Sequence, residues 1–125
     1  LEKFQKLSET EMELMQVIWE IDRPFKSSEL LEIFVQQRGK EWKGQTIATF
    51  LARLVDKGLL LVKREGQSNI YVPRLSPREY KRWEAQSLLN VMYQGSVKNF
   101  LSALYDGKEI PEDEISDLKQ WFSKK

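Results

Sequence analysis

The chain has 125 residues, 41 % of them apolar and 31 % charged, and a formal net charge of +1, which suits one compact domain or a small domain with an appendage that needs a partner. It contains no Cys and no His, which excludes disulfides, thiolate or imidazole metal sites, Cys nucleophiles and the commonest general base. No apolar run reaches the eighteen or so residues of a membrane span and no signal-peptide core is visible, so we expect a cytoplasmic, non-enzymatic protein with no cofactor, metal site or membrane attachment.

Leu7-Ser8-Glu9-Thr10-Glu11-Met12 reads as a helix start. Ser8 can cap, Glu11 completes a capping box, and Leu7 can staple onto Met12. Leu14, Val17, Ile18 and Ile21 then recur at helical spacing, with Met15 and Trp19 widening the stripe, until Asp22-Arg23-Pro24 ends the helix. Its acidic first turn favours the macrodipole but would repel phosphates, so this helix is expected to support rather than to read. Ser27 or Ser28 can cap a second helix with Leu30, Leu31, Phe34 and Val35 as its apolar face, closed by Gly39. The polar stretches Gln36-Gln37-Arg38 and Lys40-Glu41 read as loop.

A third helix is predicted over about 44–57, with Gly58 as its stop. Ile47, Phe50, Leu51, Leu54 and Val55 fall on one face, and Gln45, Thr46, Thr49, Arg53 and Asp56 on the other. Short hydrogen-bonding side chains in the first two turns suit base edges in a major groove. A hairpin over 59–73 follows: strand Leu59–Arg64, a loop Glu65–Asn69, and strand Ile70–Pro73. Charge is unevenly spread. Residues 1–32 hold four Lys/Arg against eight Asp/Glu (−4), residues 33–76 hold eight against three (+5), and residues 77–125 hold eight of each. Three helices and a basic hairpin form the winged variant of helix-turn-helix, in which the third helix reads bases and the hairpin holds the backbone. The base-reading candidates are Gln45, Thr46 and Thr49; the phosphate candidates are Lys43, Arg53, Lys63 and Arg64, with Gln67, Ser68 and Asn69 at the hairpin tip. The other reading of this pattern is a winged-helix protein-interaction module without DNA binding.

From Ser76 the character changes. Ser76-Pro77-Arg78-Glu79 combines a cap, Pro at the first helical position and Glu at the third. That helix runs to about Gln94 and carries Tyr80, Trp83, Leu88, Val91 and Met92, with Gly95 as its breaker. Ser96 caps another with Val97, Phe100, Leu101, Leu104 and Tyr105 in one stripe, ended by Asp106-Gly107. Pro111 opens a third, with Ile115, Leu118, Trp121 and Phe122 on one side. Three short helices rarely support a core of their own. The expectation is a mainly α (α+β) chain: a winged-helix domain over 1–75, then a small all-helical dimerisation domain over 76–125. Trp83, Leu88, Val91, Phe100, Leu101, Leu104, Leu118, Trp121 and Phe122 would form the homodimer contact.

The motif W-x-x-x-T-I-x-T-x-L-x-R-L-x-x-K-G over Trp42–Gly58, the opening LSETEMELMQVIWE, the hairpin end YVPRLS and the tail EIPEDEISDLKQWF resemble the penicillinase-repressor family of bacterial transcription factors. The β-lactamase, methicillin-resistance and copper-responsive repressors belong to that family. The resemblance covers essentially the whole chain. It implies a winged-helix N-terminal domain, a helical dimerisation domain, and repression by binding palindromic operators in double-stranded DNA. Thr46 and Thr49 match the family's recognition-helix threonines and Arg53 its arginine. There are two departures: relatives often carry basic residues where this chain has Gln45 and Ala48, and Ser-Pro where it has Lys43-Gly44. Lost charge lowers the salt slope, and Gln suits adenine.

The resemblance also implies a regulatory protease as partner in β-lactam-responsive members, which are cleaved at an Asn-Phe bond in the dimerisation domain. That position corresponds here to Ala103-Leu104, whereas Asn99-Phe100 lies a helical turn upstream and belongs to an apolar stripe. Copper sensing through cysteines is excluded by the lack of Cys. The acidic group Glu109, Glu112, Asp113, Glu114 and Asp117 invites comparison with a carboxylate metal site. Its place at a helix N-terminus gives it an ordinary electrostatic reason.

Overall fold

The computed structural model describes residues 6–106 and 110–125. The described residues form α1 (Glu9–Ile21), α2 (Ser27–Gln37), α3 (Gly44–Asp56), β1 (Leu60–Glu65), β2 (Ser68–Pro73), α4 (Pro77–Tyr93), α5 (Val97–Asp106) and α6 (Glu112–Ser123). The described residues are mainly helical with one antiparallel hairpin, as expected. Gly107, the expected helix stop, and Glu109 of the acidic group lie outside the described residues. No helix among the described residues is long and apolar enough to cross a membrane.

Several helix ends of the first unit are set by local capping. At α1 the capping box forms as the sequence requires. The Glu11 N–H donates to Ser8 Oγ at 3.1 Å, and the Ser8 N–H donates to Glu11 Oε1 at 2.8 Å. α2 begins one residue earlier than a serine cap would place it. Lys26 is its N-cap, and its N–H donates to Glu29 Oε1 at 3.1 Å, so Glu29 satisfies the helix end without help from a serine. α3 ends in a Schellman motif: the Gly58 N–H donates to the Val55 carbonyl at 3.0 Å and the Leu59 N–H to that of Leu54 at 2.9 Å. Gly58 takes φ +85°, and Leu54 and Leu59 are both fully buried against that turn.

The core of this unit is built from Leu14, Met15 and Ile18 of α1, Leu30 and Phe34 of α2, and Ile47, Leu51 and Leu54 of α3. Leu59, Leu60 and Tyr71 from the hairpin base complete it. On α2 the buried arc differs from the expected one. Val35 is 41 % exposed while Ile33 packs against the core. With Leu30 and Phe34 pointing inward, Val35 is rotated well past the edge of the face and Ile33 lies on its near side.

The hairpin is longer and its turn tighter than the sequence indicates. β1 and β2 pair from Leu60↔Pro73 to Glu65↔Ser68, leaving Gly66-Gln67 as a two-residue turn instead of a five-residue loop. Gly66 adopts φ +61° at the first turn position, the requirement of a type II′ connection. Ser68 and Asn69, expected at the tip, are therefore strand residues opposite Glu65 and Arg64. A further extended residue, Phe25, bridges Tyr71 through paired backbone hydrogen bonds of 3.1 and 2.9 Å, with the rings stacked 5.7 Å apart. That bridge ties the α1–α2 connection to the hairpin.

The chain divides into two compact units, Leu1–Trp83 and Glu84–Lys125. The expected boundary at 75/76 falls at the start of α4, where Ser76 and Glu79 form their capping box with both bonds at 3.0 Å. The first turns of α4 still belong to the first core. Tyr80 is buried with its ring 5.9 Å from that of Trp19, Trp83 is half-buried against the same cluster, and Trp19 Nε1 donates to the Leu75 carbonyl at 2.9 Å.

In the second unit no described residue is buried. Ser96 caps α5 through the Asn99 N–H at 3.0 Å. An open groove of about 770 Å³ runs between α5 and α6, lined mainly by apolar side chains including Val97, Leu101, Tyr105, Ile115, Leu118 and Phe122.

Candidate nucleic-acid interface

The outward face of α3 follows directly from which residues the core takes. With Ile47, Leu51 and Leu54 buried, the 100° step of the helix leaves Gln45, Ala48, Thr49, Ala52, Arg53 and Asp56 exposed. Gln45 and Thr49 are thus accessible at the start of the helix, while Thr46 is half-buried on its flank. The Thr49 hydroxyl donates to the Gln45 carbonyl at 3.0 Å, which leaves its oxygen lone pairs available as acceptors. The first turn of α3 holds no acidic residue, so the positive end of its dipole is not opposed locally. Lys43 stands exposed at the N-cap and Arg53 at the last turn.

The hairpin cations are exposed but do not share a face. Strand alternation places Lys63 with Leu61 and Glu65 on one side and Arg64 with Leu60 and Val62 on the other. Arg64 bends over the tip, its Nε donating to the Gly66 carbonyl at 3.3 Å and Nη1 approaching Asn69 Oδ1 at 3.5 Å. Its guanidinium is therefore held near the turn, while the Lys63 side chain stands opposite Ile70.

Sequence reasoning passed over the α2–α3 junction as polar loop. There Phe34, Trp42 and Phe50 form a stack, with ring centres 5.0 and 5.3 Å apart. Three cations lie over it: Arg38 at 5.8 Å from Phe34, Lys40 at 5.4 Å from Trp42, and Arg53 at 6.0 Å from Phe50. The spacing of Arg38, Lys40 and Lys43 around a tryptophan was the available signal.

Behind α3, Lys57 Nζ donates to Glu11 Oε1 at 2.6 Å and to the Lys6 carbonyl at 3.0 Å. Burial pushes the Glu11 carboxyl up. The Lys57 ammonium and the Ser8 amide and hydroxyl more than offset this and hold it below the usual carboxylate value. The C-terminal end of α3 is thereby pinned to the N-terminal end of α1. Among the described residues no cluster of acidic side chains forms a metal site.

Of the residues expected in a homodimer contact, Leu88, Val91, Trp121 and Phe122 are exposed, and Phe100, Leu101, Leu104 and Leu118 are half-buried. Trp83 alone of that set packs on the first unit's core. Asn99-Phe100 lies in the first turn of α5, with the Phe100 ring edge-on to Tyr93 at 5.3 Å.

Comparison with known proteins agrees with this architecture. The family model described as penicillinase repressor matches residues 7–124. The penicillinase repressor of Bacillus licheniformis is 28 % identical over 120 residues, covering 96 % of this chain and 91 % of the relative. The methicillin resistance regulatory protein MecI of Staphylococcus aureus (strain N315) is 25 % identical over 123 residues and 98 % of each chain. The solution structure of Bacillus licheniformis BlaI, monomeric form, in complex with the blaP half-operator superposes with a TM-score of 0.50 at 30 % identity. It covers 64 % of this chain and 94 % of that one.

Proposed function

The chain belongs to the penicillinase repressor family, and we propose that it is a transcriptional repressor that binds double-stranded operator DNA as a homodimer. In this reading α3 enters the major groove, with Gln45, Thr46 and Thr49 against base edges. Lys43, Arg53, Lys63 and Arg64 engage phosphates, and the second unit joins two copies so that two α3 helices meet an inverted repeat. Such a partner also implies a cytoplasmic location.

The observation that carries the reading is the outward face of α3: accessible short polar side chains at an unopposed helix N-terminus, beside a hairpin with exposed cations. A 30 % identical repressor solved in complex with a half-operator supports DNA binding. The two faces of the hairpin divide the labour. Lys63 and Arg64 would meet different phosphates, so their contributions to binding should be separable.

The test is a salt titration of binding to duplexes selected from a randomised pool. Lys63→Ala and Arg64→Ala should each weaken binding to every sequence and lower the slope of log K against log salt by about one unit per lost phosphate contact. Substituting Gln45 or Thr49 should instead change which half-site is selected. Salt-independent affinity would sink the reading. Uniform loss across all sequences on changing Gln45 would reduce that residue to a positioning role.

A further inference from the structure

We propose that Arg38 and Lys40 form a second phosphate-binding edge at the α2–α3 junction, which Glu13 occupies as an internal stand-in for phosphate until duplex DNA displaces it. The inference rests on the DNA-binding reading above and adds residues to it that lie outside α3 and the hairpin. Glu13 of α1 takes both cations at once: Oε2 lies 3.6 Å from Arg38 Nη1 and Oε1 lies 3.5 Å from Lys40 Nζ. One carboxylate against two cations leaves the cluster positive. The pairs are long, and all three side chains are about one-third exposed, at 31 % for Glu13 and 36 % for each cation. Surface pairs of that kind are worth little and exchange readily.

The cations are nevertheless placed, not free. The Arg38 guanidinium lies over Phe34 and the Lys40 ammonium over Trp42, so each charged head is already placed and less side-chain entropy is lost when an anion arrives. The same ring stack continues through Phe50 to Arg53, with no step from Lys40 to Arg53 longer than 6.0 Å. A run of ring contacts thus links Lys40 to Arg53, which stands on the exposed face of α3. A duplex backbone offers repeated anionic oxygens that the arginine fork can take in pairs, together with the counterion release that a single carboxylate lacks. Glu13 then lowers the affinity of this edge for any anion weaker than a polyelectrolyte.

Binding of a fluorescent duplex of random sequence, titrated between about 50 and 200 mM salt, separates the outcomes. Glu13→Gln should tighten binding roughly two- to fivefold, the equilibrium equivalent of a surface ion pair. Arg38→Ala with Lys40→Ala should lower the salt slope by about one to two units. Adding Glu13→Gln to that double variant should change nothing further. Circular dichroism checks the fold of each variant. If the alanine pair unfolds, Arg38→Gln with Lys40→Gln removes both charges while keeping part of each side chain, and serves in its place. An unchanged slope in the double variant, or unchanged or weaker binding by Glu13→Gln, overturns the proposal while leaving α3 and the hairpin as the interface. Absence of salt-dependent binding by the unaltered protein overturns the DNA-binding reading itself, and the proposal with it.

Discussion

Glu11 is the buried acidic residue of the first core, 2 % exposed, and it serves two purposes at once. As the third residue of a capping box its place near the start of α1 was legible from Ser8 alone. Its partner Lys57, 46 residues away, was not, because nothing local links a helix start to the last turn of another helix. Breaking a buried pair by removing one partner leaves an uncompensated charge, so Lys57→Met should lower stability by about 3 kcal/mol near neutral pH. The Glu11 carboxyl is held below its ordinary value of 4.5. The stability this pair adds is therefore present above that value and is lost as pH falls through the lowered one. Urea unfolding at about pH 7 and about pH 3 should show the gap between variant and parent narrowing in acid. An equal gap at both would assign the loss to packing of the lysine stem.

Among the elements, the hairpin was the least well read from sequence and the helices the best. Apolar spacing located α1, α3, α4, α5 and α6 because a stripe every three or four residues is what one buried helix face requires. The run Glu65-Gly66-Gln67-Ser68-Asn69 is rich in turn formers, yet strand pairing claims all of it except Gly66-Gln67. Cross-strand hydrogen bonding prevails there once a glycine with φ +61° closes the turn in two residues. A Cβ added at Gly66 meets no atom within 4 Å beyond its chain neighbours, so the main cost of a substitution is the backbone penalty. Gly66→Val should cost about 1–2 kcal/mol, and Gly66→Asn clearly less, measured by thermal unfolding. Equal losses for both would mean that the turn relaxes to another type. The Phe25–Tyr71 bridge was invisible for a related reason: one extended residue after Pro24 carries no period.

For the whole molecule, the two units differ in how complete they are alone. The first has a closed core that includes Tyr80 and Trp83, so a fragment ending at residue 83 should fold as a monomer. One ending at residue 73 should be less stable by about 3–5 kcal/mol, the scale of losing a large buried aromatic. Comparing the two by denaturant titration decides the point, and equal stability would place Tyr80 and Trp83 outside the cooperative core. The second unit buries no described residue and leaves an apolar groove open, which supports a second copy as its cover. Leu118→Asp should then halve the mass in solution and weaken binding to a full inverted repeat far more than to a half-site. An unchanged mass would count against that surface. The sequence by itself determined the helices, their caps except that of α2, the winged-helix class and the family, because local spacing, capping chemistry and a contiguous motif record those directly. Only the tertiary structure decided which distant charges meet. The Glu11–Lys57 clamp and the Glu13–Arg38–Lys40 cluster both depend on chain paths that bring separate segments within a few ångströms.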